Sequence, residues 1–361
     1  MGFLLIVQTT LLGMSPLFLL VLTGVYLTHH KIFDTRTSSS ISQCIGNFLT
    51  PVFLFTYIST SFSIFEILDI WPTLVFAFIP YLVFIPSGIF LAKTLKFPKG
   101  TQMSITCALV LGNYGIVFIL VEGFCSTYGP LSGNSNCGSA RVYLSLFSCV
   151  ENFLRWTIGL SLVALDRQLR DSINDLDGFN TERRVLSVGQ LIKNSLLMSN
   201  PIASALGIIF AMIPGYKSFV MDKSGLFYCI TSVAIEISQF NFVLGQVLLG
   251  SNLMQIKGKI SSLTKTQIFS FCLAKCAVLP LFCLSFCFLC WKIGVFGDDL
   301  VMAFCLFASL SSPTAIIVAV FANIYQVAID EVAEISLWVY VSTTPSMIFF
   351  NFLFFLLFPS A

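Results

Sequence analysis

The chain has 361 residues, of which 57% are hydrophobic and only 10% are charged. A soluble domain carries roughly 25% charged residues, so this composition excludes a soluble protein and indicates a polytopic membrane protein. The net charge of +2 is uninformative about nucleic acid, but the sequence has no basic stretch interleaved with aromatic residues, so we do not expect nucleic acid as a partner.

Hydropathy predicts ten membrane spans, because about 20 apolar residues are enough to cross the ~30 Å hydrocarbon layer. The first span has no basic flank and no small-residue cleavage site, so we expect it to be retained rather than removed as a signal peptide. The spans are numbered 1 to 10 and cover residues 3–28, 41–64, 69–93, 104–128, 141–165, 194–214, 225–250, 267–291, 299–323 and 333–358.

A short charged segment divides the chain into two halves of five spans each. We expect a first five-helix repeat at residues 1–166, a connector at 167–193 and a second repeat at 194–361. Lys and Arg residues are concentrated in the loops on the connector's side, which predicts a cytoplasmic connector and termini that lie outside or in a lumen. An odd number of spans per half makes the two halves insert in opposite orientations, as in inverted repeats. The alternative is ten ordinary helices with incidental prolines.

Span 4 carries a polar interruption at its centre, where the sequence reads Gly112-Asn113-Tyr114-Gly115. Glycines weaken a helix by about 1 kcal/mol each relative to alanine, so we expect this span to be broken. Carriers build their binding sites from such broken spans. Asn113 is the first candidate for contacting a ligand, beside half-helix amides that favour an anion. The alternative role for its amide is to satisfy freed backbone groups.

Span 9 is interrupted in the matching place by Ser311-Ser312-Pro313-Thr314. Proline removes a backbone donor and clashes with the preceding turn, so we expect a second break here. The hydroxyls could serve a ligand, or they could bond back to nearby carbonyls, as Ser and Thr often do around a proline.

Of the charged residues inside predicted spans, where ionisable groups are costly, four are candidates for coupling or for structural ion pairs. Glu151 and Arg155 stand four residues apart in span 5, hence on one helix face, and we expect a structural ion pair. Glu236 in span 7 could face Lys275 in span 8 as a second pair, or act alone as a proton-sensitive carboxylate. Coupling to protons or sodium is open at this point.

The 12 cysteines show no zinc-type spacing, and most lie in apolar spans, where cysteine behaves as a small hydrophobe. Cys125 and Cys137 flank a Gly- and Ser-rich outer loop, and either a disulfide or two free thiols is compatible with that position. The only histidines are the adjacent His29 and His30, so no metal site is expected. The sequence also lacks the spacing of an intramembrane aspartyl protease and a Gly-rich phosphate loop. We therefore expect neither an enzyme nor a cofactor.

At these residues the chain resembles the auxin efflux carrier family, and its PIN-likes branch in particular. The Gly112–Gly115 stretch matches the family's Gly-Asn-x-Gly-Asn motif in part, and Pro313-Thr314-Ala315 stands for its Pro-Pro-Ala. Further matches in the same order along the chain are Asn200-Pro201, Leu244-Gly245, Gly250-Ser251-Asn252-Leu253, Lys275 before Ala277-Val278-Leu279-Pro280, and Glu331 with Leu337-Trp338-Val339-Tyr340.

The resemblance implies an all-α fold of ten transmembrane helices in two inverted five-helix repeats, as in bile-acid symporters and sodium–proton antiporters. It also implies that spans 4 and 9 cross at mid-membrane, and that an indole-type organic anion is transported, usually across the endoplasmic reticulum membrane. Two departures make the crossing less polar: the family's second asparagine is Ile116 here, and the asparagine after Pro-Pro-Ala is Ile317. We therefore expect an anion that is more apolar than auxin.

The sequence-based hypothesis is a secondary transporter or uniporter of a small amphipathic organic anion that works by alternating access. The alternative is a transport-inactive membrane sensor that keeps the carrier fold and its ligand pocket. The expected partners are the anion and the lipid bilayer, with a homodimer left open, and the expected location is the endoplasmic reticulum or the plasma membrane.

Overall fold

The computed structural model describes residues 2–61, 70–127, 131, 135–176, 187–255 and 262–358. These residues form helices, with no strand among the described ranges. Six helices are long and apolar enough to cross a membrane, and the bent pair Gly189–Leu196 and Ser199–Ala211 raises the number to seven. The six are Phe3–His29, Thr35–Ser61, Trp71–Thr94, Leu226–Gln255, Lys265–Lys292 and Ile329–Leu357. The protein is therefore a multi-pass membrane protein, and these helices coincide with predicted spans 1, 2, 3, 7, 8 and 10.

Three predicted spans are not continuous apolar helices. Span 4 consists of Gln102–Val110 and Tyr114–Thr127, and span 9 consists of Leu300–Leu310 and Ile317–Tyr325. None of these half-helices is long enough to cross the hydrocarbon layer alone. Span 5 is long but more polar, and it runs through Ala140–Leu154, Arg155–Gly159 and Leu160–Leu176. The count of ten spans accordingly stays a prediction.

Four of the long helices contain one wide π turn each, a feature that the sequence analysis does not predict. The turns are Ile45–Leu49, Pro80–Phe84, Arg155–Gly159 and Ala274–Val278. Pro80 begins one turn and Pro280 follows another, in keeping with the loss of a backbone donor at proline. Carbonyl groups freed in such turns accept other donors: the carbonyl oxygen of Gly46 accepts a hydrogen bond from Asn200 Nδ2 at 2.8 Å.

The helices pack as two groups, with spans 1, 2, 6 and 7 in one bundle and spans 3, 4, 5, 8, 9 and 10 in the other. Spans 1 and 7 approach most closely at Gly24 and Gly250, where a Cβ atom would overlap the carbonyl oxygen of Val247 or of Val21, respectively. Glycine allows this approach because membrane helices associate mainly by close packing. We call these groups the 1-2-6-7 bundle and the crossing bundle.

The predicted connector at residues 167–193 is helical at both of its described ends. Span 5 continues as helix to Leu176, and the helix Val188–Leu196 begins before the predicted start of span 6. An ion pair between Arg167 and Asp171, one turn apart with an N–O distance of 3.0 Å, supports the polar extension of span 5. Residues 177–186 of the connector and residues 62–64 of predicted span 2 lie outside the described ranges.

Candidate functional site

The links that interrupt spans 4 and 9 meet and pair as two short extended segments. Gly112 and Thr314 form an antiparallel bridge. The backbone N–H of Asn113 donates to the carbonyl oxygen of Pro313 at 2.8 Å, and the N–H of Ala315 donates to the carbonyl oxygen of Leu111 at 2.9 Å. Both breaks therefore lie where the sequence predicts them, and the two broken spans touch at their breaks.

Gly112 packs against the side chain of Ser312 at this crossing. A Cβ atom at position 112 would overlap the Oγ of Ser312. The link also turns extended at Leu111, with φ −78° and ψ 124°, which ends the first half of span 4. In the link that interrupts span 9, Pro313 has no backbone N–H that the break could leave without an acceptor. Glycine and proline thus permit both the breaks and their close contact.

Three carbonyl oxygens at the break in span 4 accept hydrogen bonds from side chains. Thr314 Oγ1 donates to the carbonyl oxygen of Ala108, and Lys275 Nζ donates to that of Leu109, both at 2.8 Å. Arg155 Nη2 donates to the carbonyl oxygen of Gly112, also at 2.8 Å. Buried carbonyl groups without donors are costly, so these three side chains stabilise the broken conformation.

Arg155 is held in place by the ion pair that the sequence predicts. Its Nη2 lies 2.7 Å from Glu151 Oε2, and the Glu151 side chain is completely buried while that of Arg155 is 11% exposed. Tyr81 donates to Glu151 Oε1 at 3.1 Å, and the Arg155 guanidinium carbon lies 5.1 Å from the centre of the Tyr114 ring. The pair is electrically balanced, and it fixes an arginine next to the crossing.

Tyr340 of span 10 joins both links. Its hydroxyl accepts a hydrogen bond from Asn113 Nδ2 at 2.7 Å and donates to the carbonyl oxygen of Thr314 at 3.1 Å. Its residue type is matched in the family resemblance, but the sequence analysis assigns it no role. A contact 227 residues away along the chain leaves no local signal in a sequence.

A cavity of about 70 Å³ lies against the crossing, at the boundary between the two bundles. Its polar groups include the amides of Asn113, Asn152 and Asn241, the hydroxyl of Thr50 and the guanidinium of Arg155. Its apolar wall contains Phe53, Phe118, Trp156 and Phe242, together with Ile316, Ile317 and Val320. This mixture suits a ligand with one polar end and one aromatic or aliphatic end.

The second halves of both broken spans begin at this cavity. Tyr114 and Gly115, in the first turn of one half-helix, and Ile316 and Ile317, at the start of the other, all line it. No side chain caps the half-helix that begins at Ile317. The N–H groups of Val318 and Ala319 already donate to the carbonyl oxygens of Ala315 and Ile316, at 3.2 and 2.9 Å. The positive end of the helix dipole still makes such a place favourable for an anion.

The residues predicted for the site divide into two sets. Asn113, Tyr114 and Gly115 line the cavity, and Gly112 lies in the crossing beneath it. The hydroxyls of Ser311 and Ser312 instead donate to the carbonyl oxygens of Phe307 and Ser309, both at 2.8 Å. Together with Pro313 and Thr314, they support the backbone at the crossing, and span 9 contributes Ala315, Ile316, Ile317 and Val320 to the cavity instead.

The proposed pairing of Glu236 with Lys275 is wrong. Glu236 lies on the exposed face of span 7, whereas Lys275 is buried, only 3% exposed, with its ammonium group at the Leu109 carbonyl oxygen. No ion pair between them is found within the described ranges. The lysine instead neutralises the partial negative charge at the end of a half-helix.

A second cavity lies between the end of span 4 and the start of span 5. Cys125 and Cys137 are joined by a disulfide bond, and both line a cavity of about 290 Å³ together with Glu122 and Arg141, which form an exposed ion pair. Phe118 lines both this cavity and the one at the crossing. Its ring packs edge to face with that of Tyr57, with the ring centres 5.7 Å apart.

Comparisons with known proteins identify a family of membrane transport proteins. The family model described as "Membrane transport protein" matches residues 10–351. The chain is 20% identical to Protein PIN-LIKES 7 of Arabidopsis thaliana, with 94% of this chain and 95% of that protein covered. It is 19% identical to Protein PIN-LIKES 5 of the same plant, again over 94% and 95% of the two chains.

Proposed function

Since the chain belongs to the membrane transport protein family, that of the auxin efflux carriers, we propose that it carries a small amphipathic organic anion across a membrane. The observation that carries this proposal is the cavity at the crossing, where two half-helices begin beside three amide side chains and an arginine. The family match favours a carrier over the transport-inactive sensor.

An anion is favoured because the positive ends of two helix dipoles and several hydrogen-bond donors converge on one small space. Arg155 is balanced by Glu151, so the attraction comes mainly from the backbone N–H groups and the amide of Asn113. A carboxylate accepts hydrogen bonds from such groups without needing a second full charge.

The rest of the cavity wall favours a ligand whose body is aromatic or otherwise apolar. Phe53, Phe118, Trp156 and Phe242 present apolar surface opposite the polar end. Ile317 faces the cavity, where the family carries an asparagine by resemblance. Losing a hydrogen bond to a buried group costs about 1–3 kcal/mol, so a ligand more apolar than auxin is the better fit.

Alternating access follows from the position and size of the cavity. About 70 Å³ is far below the 300–1,000 Å³ of ordinary ligand pockets. We propose that the two bundles separate to admit the anion, first on one side and then on the other. The outer cavity beyond Phe118 is the route on the side of the disulfide. Ten spans in two inverted repeats, with both termini outside or lumenal, would give this motion its symmetry.

We further propose a uniporter in which no metal ion binds at the crossing. In other carriers the carbonyl oxygens at the ends of broken helices coordinate sodium. Here Lys275 and Arg155 already donate to two of these oxygens, those of Leu109 and Gly112. Two tethered cations thus take the place of a coupling ion. The endoplasmic reticulum is the membrane that the resemblance favours.

The test is uptake of a labelled aromatic carboxylate by liposomes that contain the purified protein. We expect wild-type protein to take it up, and Asn113→Ala to do so at a clearly lower rate. Asn351→Ala is the matched control, because Asn351 is an equally buried amide that does not line the cavity. Binding of the carboxylate without any flux would favour the sensor, and equal rates for the two variants would contradict the assigned site.

A further inference from the structure

A larger cavity lies elsewhere, in the groove between span 10 of the crossing bundle and spans 1 and 7 of the other bundle. Its volume is about 640 Å³, and its wall is almost entirely aliphatic and aromatic, with residues such as Leu17, Val21 and Leu253. We call it the lateral groove. The wall residues Leu22, Trp338 and Val341 are 60%, 47% and 53% exposed, so the groove opens on the outer surface of the bundle, where lipid lies.

The lateral groove contains one charged side chain, Glu334 of span 10. Its Oε2 is buried and has no hydrogen-bond partner among the described residues. No ion pair to Glu334 is found in that part of the chain either. Glu334 is thus a carboxylate at an apolar groove with one buried oxygen that lacks a donor, and such groups in membrane proteins usually have a ligand or a function.

The depth of Glu334 matches that of a lipid head group. The helix of span 10, Ile329–Leu357, has 29 residues and is about 43 Å long at 1.5 Å per residue. It exceeds the ~30 Å hydrocarbon layer by about 6 Å at each end if it is centred. Glu334 lies about 7 Å from the N-terminal end, and helical side chains point toward that end. Its carboxylate therefore lies near the boundary, with the groove extending into the hydrocarbon.

We propose that the lateral groove binds a phospholipid whose head group carries a primary ammonium, as in phosphatidylethanolamine. The ammonium donates a hydrogen bond to Glu334, and one acyl chain lies along the aliphatic wall. A choline head group has no N–H to donate, so phosphatidylcholine cannot form a hydrogen bond with the carboxylate of Glu334. A serine head group adds a carboxylate, which the carboxylate of Glu334 repels.

The lipid site is independent of the proposed transport activity, because it depends only on the groove and on the membrane around it. It does connect to the crossing, since Tyr340 lines the lateral groove and also holds Asn113. The bound lipid would thus fill the boundary between the two bundles next to the candidate ligand site.

The test measures which lipid stays bound to the protein. The protein is purified from vesicles that contain equimolar phosphatidylethanolamine and phosphatidylcholine, and the bound lipid is identified by native mass spectrometry. We expect the protein to retain about tenfold more phosphatidylethanolamine than phosphatidylcholine, because one charge-assisted hydrogen bond changes a binding constant by about that factor. N-methylated analogues test the donor on unaltered protein: the monomethyl and dimethyl forms should be retained, and the trimethyl form should not.

Two variants test the carboxylate itself. Glu334→Gln should bring the ratio close to one, whereas Glu236→Gln, at an exposed carboxylate outside the groove, should leave it unchanged. Leu22→Phe narrows the groove at an exposed position and should reduce retention of both lipids. Equal retention by wild-type protein, retention of neither lipid, or a preference that survives in Glu334→Gln would overturn the proposal.

Discussion

Tyr340→Phe removes a single oxygen atom from the crossing and leaves two buried groups without partners. The amide of Asn113 loses its acceptor at 2.7 Å, and the carbonyl oxygen of Thr314 loses its donor at 3.1 Å. Hydrogen bonds between side chains within membrane proteins average about 0.6 kcal/mol and reach about 1.7 kcal/mol. We therefore expect the free energy of unfolding to fall by about 1–3 kcal/mol.

The same change should slow transport, because Asn113 is no longer held at the mouth of the half-helix. If the less ordered Asn113 raises the free-energy barrier of transport by about 1 kcal/mol, the uptake rate should fall about fivefold. The measurements are reversible unfolding in mixed micelles and initial uptake into liposomes. Tyr26→Phe is the control, because it removes the same atom from a side chain that is 59% exposed.

A double-mutant cycle decides whether Tyr340 acts through Asn113. Since the two side chains share one hydrogen bond, the effects of Tyr340→Phe and Asn113→Ala on unfolding should fail to add by at least about 0.5 kcal/mol. Additive effects, or a Tyr340→Phe variant indistinguishable from Tyr26→Phe, would refute the reasoning about the crossing.

Three further outcomes are expected. Gly250→Ala should lower the free energy of unfolding by several kcal/mol, because the new Cβ atom overlaps the Val21 carbonyl oxygen. The control, Gly189→Ala, has open space around it and should be close to neutral. Equal effects of the two variants would count against the tight crossing of spans 1 and 7. Cys125→Ser removes the disulfide bond to Cys137, 12 residues away along the chain, and should lower the free energy of unfolding by about 2–4 kcal/mol. A reductant should lower the melting temperature of the wild-type protein and leave that of the variant unchanged. Replacing sodium by choline should not alter initial uptake, because Lys275 already occupies the Leu109 carbonyl oxygen; a large drop would argue for a coupled sodium ion.

The breaks were predictable because their cause is local. Glycine, asparagine and proline in the middle of an apolar span conflict with a continuous helix, and the structure breaks spans 4 and 9 at those residues. The ion pair of Glu151 and Arg155 was predictable for the same reason, since a separation of four residues places both on one helix face.

The partners of the crossing could not be predicted, because they come from distant parts of the chain. Lys275 reaches a carbonyl oxygen 166 residues away, and Tyr340 reaches an amide 227 residues away. Pairing Lys275 with Glu236 failed because opposite charges on neighbouring spans do not reveal which face of each helix is buried. The π turns could not be predicted either, since Pro80 and Pro280 are the only local signals near them.

The second set of predicted site residues shows how a break and a ligand site differ. Ser311, Ser312 and Thr314 are polar because the broken backbone needs their hydroxyls. Besides Asn113 and Arg155, the cavity takes polar groups from Thr50, Asn152 and Asn241, which lie in spans 2, 5 and 7. No motif marks these three residues, since each is an isolated polar residue in an apolar helix.

The central claim is that the transported anion binds where the second halves of spans 4 and 9 begin, and a cryo-electron microscopy map of the protein with a saturating transported carboxylate tests it most directly. We expect density for the carboxylate within hydrogen-bond distance of the Asn113 amide, with its apolar body against Phe53, Trp156 or Phe242 and with the two bundles farther apart than they are here. Density for the ligand in the lateral groove, or anywhere else away from the crossing, would contradict the account.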